Sequence, residues 1–198
     1  MIILNNSSVA DVKYGSQQVT KVYYGSDLVW GRDEWVEYTF PNSSAKLTGS
    51  GDKALGFVLS GGSASGSSQR YYALNNVSDN AWTVTDSSTS LYILLPDLLA
   101  PVKVLNVKNS YNSYGSETLS ILSSRSVDSS ADWIKILDSP RSKGDDIPDE
   151  YNNLDCASIK ISATRKSGAS TITVGNFYFK FKVKKNKLNA WKARYNLS

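Results

Sequence analysis

The densest set of side chains able to do acid–base chemistry is Asp145, Asp146, Asp149 and Glu150, four carboxylates in the segment GDDIPDE. Two carboxylates facing each other across a sugar can hydrolyse a glycosidic bond, one as acid and the other as base or nucleophile. Here Gly144 and Pro148 punctuate the run. Adjacent acids between turn formers predict a solvated loop rather than the two walls of a cleft. The single cysteine, Cys156, lies in the apolar stretch LDCASI and reads as a small buried hydrophobe. The chain has no histidine. That removes the Ser-His-Asp triad, the Cys-His pair, imidazole zinc sites and any general base whose ordinary pKa lies near neutrality. No catalytic residue is assigned, and the expected role is binding, not catalysis.

Charge is unevenly placed. Residues 1–155 carry 12 basic and 18 acidic side chains, whereas residues 156–198 carry 10 basic and no acidic ones. The run FYFKFKVKKNK alternates strictly from Phe179 to Lys184, which predicts a strand with one apolar and one cationic face. Outward lysines of this kind protect an edge or a solvent face from aggregation. The stretch that follows, residues 184–198, predicts a basic aromatic tail whose rings need a partner to cover them. Its candidate contacts are Lys184, Lys185, Trp191, Arg194 and Tyr195. None of the usual nucleic-acid-binding motifs is present, so that partner is expected to be protein.

The elements that position these residues are short and β-forming. At the N-terminus residues 12–19 (VKYGSQQV) recur as residues 22–29 (VYYGSDLV), ending on Trp30. Each copy places Gly-Ser between β-forming residues, and Gly at the first central position suits a two-residue type II′ hairpin turn. That turn sets Tyr14 opposite Gln17 and Val12 opposite Val19, then Tyr24 opposite Asp27 and Val22 opposite Val29. The middle strand is shared. Without a bulge the two valine pairs point to opposite faces, so the three-stranded meander is apolar on both sides. Such a ribbon is marginal alone, and it is expected to be covered by another domain or chain through Tyr14, Tyr24 and Trp30. Beyond it, apolar runs separated by Gly, Ser, Asn and Asp recur without a long amphipathic stretch, which predicts seven or more strands in a β-sandwich. The fold class is all-β: a small meander over residues 1–32, a jelly-roll sandwich over 33–183, then the tail. No run is long enough for a membrane span, and MIIL is too short and uncharged for a secretory signal.

The repeat resembles the short N-terminal segment of many bacteriophage tail, baseplate and fibre proteins, in which a V-x-x-Y/V-G-x-x-x-V-W pattern ends just before the main domain; here it is VYYGSDLVW. The order of features in the main domain resembles the discoidin, or coagulation-factor C-type, galactose-binding-like jelly roll. Ala73-Leu74-Asn75-Asn76 with Trp82, the strand from Leu91 to Leu95, the turn from Ser124 through Asp128 to Trp133, and the closing strand from Ile172 to Phe179 carry that resemblance.

The discoidin resemblance implies ligand contacts through exposed aromatics on loops, for which Tyr71, Tyr72, Tyr111 and Tyr114 are the candidates. It places Trp82 and Trp133 inside the core. The calcium site often found near the first loop would rest on Asn75, Asn76 and Asp79, where neutral amides make a weaker site than carboxylates; no other cofactor is expected. The two resemblances together imply a non-enzymatic virion protein, made in the host bacterial cytoplasm. It would attach by its repeat and present the jelly roll to host glycans or neighbouring virion subunits, as a homo-oligomer and, as in fibres, a trimer. A head-fibre or capsid-decoration protein and a bacterial carbohydrate-binding module are the alternatives.

Overall fold

The structure is a computed structural model that describes residues 12–14, 16–19, 21–24, 27–31, 34–47, 53–62, 70–75, 81–109, 115–128, 130–140 and 144–198. The chain divides after Glu34 into two compact units. The first holds β1 (Val12–Tyr14), β2 (Gln17–Val19), β3 (Lys21–Tyr24) and β4 (Asp27–Gly31). The first hairpin pairs as its sequence predicts, Val12 with Val19 and Tyr14 with Gln17. The second does so at Tyr24–Asp27 and Tyr23–Leu28, but its register then shifts and Val22 stands opposite Trp30. The expected Val22–Val29 pair is therefore not formed, because Val29 is the extra residue of a bulge. The expected three-stranded meander is corrected as well: β1-β2 and β3-β4 are two separate two-stranded sheets in series. Tyr14 is 83% exposed.

The second unit contains β5 (Trp35–Phe40), β6 (Lys53–Ala54), β7 (Phe57–Ser60), a 3-10 turn at Arg70–Leu74, β8 (Trp82–Val84), β9 (Ser88–Leu94), β10 (Lys103–Asn109), β11 (Gly115–Leu122) and β12 (Ile134–Asp138). After these come β13 (Asp145–Asp146), β14 (Ser158–Arg165), β15 (Ile172–Val174), β16 (Phe177–Lys184) and a helix, α1 (Lys185–Arg194). A four-stranded sheet runs β13-β10-β16-β5 and a six-stranded sheet β12-β11-β14-β9-β7-β6, with β15-β8 as a short separate pair. Every pairing in them is antiparallel, which makes this unit a β-sandwich.

Strand alternation builds the core. Leu91 and Ile93 of β9, Ile159 and Ile161 of β14, and Leu119 and Ile121 of β11 are buried on one side, and Phe177, Phe179, Phe181 and Val183 of β16 join the same core cluster. The intervening residues face outward. The expected cationic strand is real, but β16 lies between β10 and β5. Its lysines cover the solvent face of an interior strand and do not guard an edge. On that face Lys180 pairs with Glu37 at 2.5 Å, and Lys184 and Lys103 lie over the Trp35 ring.

The segment expected to be a partner-seeking tail is corrected most. Residues 185–194 are helical, and Leu188 and Trp191, three positions apart and so on one helix face, are buried in this unit's own core. The Trp191 indole meets Tyr38, Phe40 and Phe57 edge-on and donates a 2.8 Å hydrogen bond to the Leu55 carbonyl. Tyr195 packs beside it. Burial withdraws Trp191 from any partner surface, while Lys185 and Arg194 remain exposed. Asn196, at φ +52°, ends the helix, and the Leu197 amide bonds back to the Lys192 carbonyl.

Candidate functional site

The outer face of the six-stranded sheet is set by its register. Lys135, Ser120, Lys160 and Tyr92 stand opposite one another across β12, β11, β14 and β9. The row beside it is Thr118, Ser162 and Ser90, and Thr164 faces Ser88 in the next. Directly paired residues share a face, so this surface is a field of hydroxyls with one aromatic corner. The Ser90 and Ser162 hydroxyls bond each other at 3.1 Å.

The aromatic corner consists of Tyr92 and Trp133, ring centroids 5.8 Å apart and planes 40° apart. Trp133 enters from the segment before β12, and a compact turn fixes it. The Asp128 carboxylate accepts hydrogen bonds from Ser126 Oγ at 2.9 Å, Ser130 N at 2.9 Å and Ser130 Oγ at 2.6 Å. The Trp133 Nε1 donates to the Asp128 carbonyl at 3.1 Å. The Ser130 and Ser126 hydrogen bonds hold the exposed Asp128 carboxyl below its usual value. Lys160 Nζ lies 5.7 Å from the Tyr92 ring centroid and 5.9 Å from that of Trp133.

Beside Tyr92 is a cavity of about 430 Å³ lined by Gly62, Asp86, Ser88, Thr89, Ser90, Tyr92, Ser162, Ala163 and Thr164. It is a wide-open depression of the sheet face and not an enclosed cavity. Gly61 and Gly62, at φ +86° and +46°, bring the backbone against this wall; a Cβ on Gly61 would lie 2.6 Å from Tyr92 Cδ2, and one on Gly62 2.3 Å from Thr89 Oγ1. Arg70 fastens both carbonyls, Nε to Gly61 and Nη2 to Gly62, each at 2.5 Å.

The residues picked from sequence fall elsewhere or only partly here. Trp133, expected in the core, is half-buried on the outer face and outside the core cluster; Trp82 is fully buried, as expected. Tyr71 and Tyr72 sit on the 3-10 turn, their rings 4.7 Å apart and edge to face, and a hydrogen bond to Tyr72 raises the Tyr71 phenol above its ordinary value. Tyr111, Tyr114, Asn76 and Asp79 lie outside the described residues, as do the side chains of Tyr24 and Trp30. Of the three calcium candidates only Asn75 is described, and it is buried. Among the described residues no three His, Cys, Asp or Glu side chains gather as a metal-binding group. The acidic run is not all loop: Asp145 and Asp146 form β13 at a sheet edge, and Asn106 Nδ2 donates to Asp146 at 2.8 Å. Tyr92 and Lys160 were missed, although the alternation of LYILL and of SIKIS puts both outward by period alone.

No protein-family model matches the sequence, and no curated protein matches it. Solved structures similar to it include the family 32 carbohydrate-binding module of Clostridium perfringens NanJ in complex with galactose, at 13% identity and TM-score 0.44, covering 73% of this chain and 99% of that one. A chitosan-binding module from a chitosanase/glucanase of Paenibacillus sp. IK-5 is similar at 17% identity and TM-score 0.46, over 66% of this chain and 96% of that one. A family 89 glycoside hydrolase from Clostridium perfringens is similar at 9% identity and TM-score 0.48, and there the match spans 66% of this chain but 14% of the hydrolase.

Proposed function

We propose that residues 35–198 form a non-catalytic carbohydrate-binding module whose ligand lies across the outer face of the six-stranded sheet. The observation that carries this reading is the Tyr92–Trp133 ring pair beside a hydroxyl-lined cavity. A sugar ring has an apolar C–H face and a rim of hydroxyls. The two rings suit the first, and the outward hydroxyls of Ser88, Ser90, Ser162 and Thr164 suit the second. Among the described residues that line the cavity, Asp86 is the one carboxylate, whereas glycoside hydrolysis uses a pair. Binding of the full chain to a glycan array, followed by titration calorimetry on the best ligand, tests the reading. Tyr92→Ala and Trp133→Ala are each expected to weaken binding by about tenfold or more, the effect of removing a ring from an aromatic contact site. Binding that survives both substitutions, or no binding to any glycan, overturns it.

The N-terminal unit is proposed to attach the module to a larger assembly. Its support is the repeated hairpin and its separation from the sandwich unit after Glu34. The phage-like sequence pattern makes a homo-oligomeric virion component the expected setting. Purified particles should contain the chain and lose it when residues 1–34 are deleted; absence from every particle fraction rejects this setting.

A further inference from the structure

Lys160 differs from three other lysines on the sandwich faces. Lys103, Lys135 and Lys180 each pair with a carboxylate, Asp155, Asp138 and Glu37 respectively. Lys160 has no carboxylate partner among the described residues, and its ammonium contacts are the faces of Tyr92 and Trp133. Two rings flank the cation, and no carboxylate among the described residues compensates its charge. It stands one β-bridge from Tyr92 and two residues from Ser162, which lines the cavity. Any ligand stacked on the rings and reaching into the cavity passes over this charge.

We propose that the ligand is an acidic glycan, with the carboxylate of a uronic acid residue on Lys160. This rests on the glycan-binding reading of the same face. The neighbouring charges favour Lys160 as the anion contact. Lys135, across Ser120 on the same row, is already neutralised by Asp138 at 2.9 Å, and Asp86 on the cavity wall is itself negative. A neutral sugar would leave the Lys160 ammonium uncompensated beneath it, whereas a carboxylate makes a charge-assisted hydrogen bond there.

Matched pairs of oligosaccharides test this: hyaluronan, polygalacturonate and glucuronoxylan fragments, each beside its carboxyl-reduced counterpart, titrated against the full chain and against Lys160→Met and Lys160→Arg. At least one uronate member is expected to bind about tenfold or more tightly than its reduced counterpart, the size of one hydrogen bond to a charged group. Lys160→Met should remove that preference, Lys160→Arg should keep most of it, and added salt should weaken the acidic member selectively. Equal affinity within every pair, or a preference that survives Lys160→Met, overturns the proposal. If reduced members bind and Trp133→Ala abolishes their binding while no pair differs, the glycan-binding reading stands and the acidic-ligand inference falls. If no member of any pair binds, the acidic-ligand inference falls, and the glycan array alone decides the glycan-binding reading.

Discussion

The Trp133 indole Nε1 donates a 3.1 Å hydrogen bond to the backbone carbonyl of Asp128, the residue whose carboxylate gathers Ser126 and Ser130. One residue thus closes the turn with its side chain and orients the tryptophan with its backbone. The platform depends on a local polar turn and not on the core, because Trp133 lies outside the core cluster.

Asp128→Ala is therefore expected to leave the global unfolding midpoint nearly unchanged while it releases Trp133. Glycan affinity should fall several-fold, and the tryptophan emission should shift toward that of a solvated indole. The pH dependence has a definite sign. Hydrogen bonds lower the Asp128 pKa in the folded turn, so its contribution is complete above the unfolded value and is lost as pH falls through the depressed folded one. Binding should persist on acidification past the ordinary aspartate range and fail only below it. Loss of the turn already at mildly acidic pH would contradict this.

Gly61 joins the cavity to the platform. At φ +86°, an added Cβ would lie 2.4 Å from the Ser90 carbonyl oxygen and 2.6 Å from Tyr92 Cδ2. The first neighbour is backbone within a paired strand and cannot yield cheaply. Gly61→Ala should cost about 1–3 kcal/mol in a denaturant titration, through overpacking and the positive φ. It should also reduce glycan binding, since the Tyr92 ring is the second atom group that must move.

How far sequence carries is visible in these residues. The outward lysines and inward phenylalanines of β16 follow from period alone, as does the buried face of β9. The Val12–Val19 register follows from turn length. The Val29 bulge does not, because a bulge exchanges one ladder step for local twist and leaves no compositional mark in VYYGSDLVW. Nor could composition tell that Trp191 has its own core to enter: a basic helix with two buried residues reads like a tail until the hollow over Phe40 and Phe57 is known. The candidate site was the least legible. Tyr92, Lys160 and Trp133 are distant in sequence, and strand pairing alone makes Tyr92 and Lys160 neighbours.

Cys156 is fully buried, and burial pushes its thiol pKa up to about 12. The thiolate is the reactive form, so the native chain should resist alkylation at neutral pH and become stoichiometrically reactive in denaturant. The sign for stability follows. The raised folded value means that the thiol's contribution is intact below the unfolded pKa and declines as pH climbs from there toward about 12, since the unfolded thiol ionises first. Rapid native-state alkylation at pH 7 would contradict the burial.

Trp191 separates a structural helix from a docking tail. Its indole is fully buried, touches Phe40, Phe57 and Tyr38, and satisfies the carbonyl of Leu55, which sits at φ +53°. Removing it leaves a large cavity and an unpaired carbonyl. Trp191→Ala should therefore cost about 3–5 kcal/mol of sandwich stability in chemical denaturation, with the aromatic-face site weakened only as far as the unfolded fraction grows. Arg194→Ala, at an exposed position on the same helix, should change stability by less than about 0.5 kcal/mol. If the helix instead served mainly to hold a partner, Trp191→Ala would leave the isolated chain's unfolding midpoint in place and weaken assembly alone. The ring contacts and the Leu55 hydrogen bond argue for the first outcome, because they tie the helix to β5 and to the β6–β7 turn within the same sandwich.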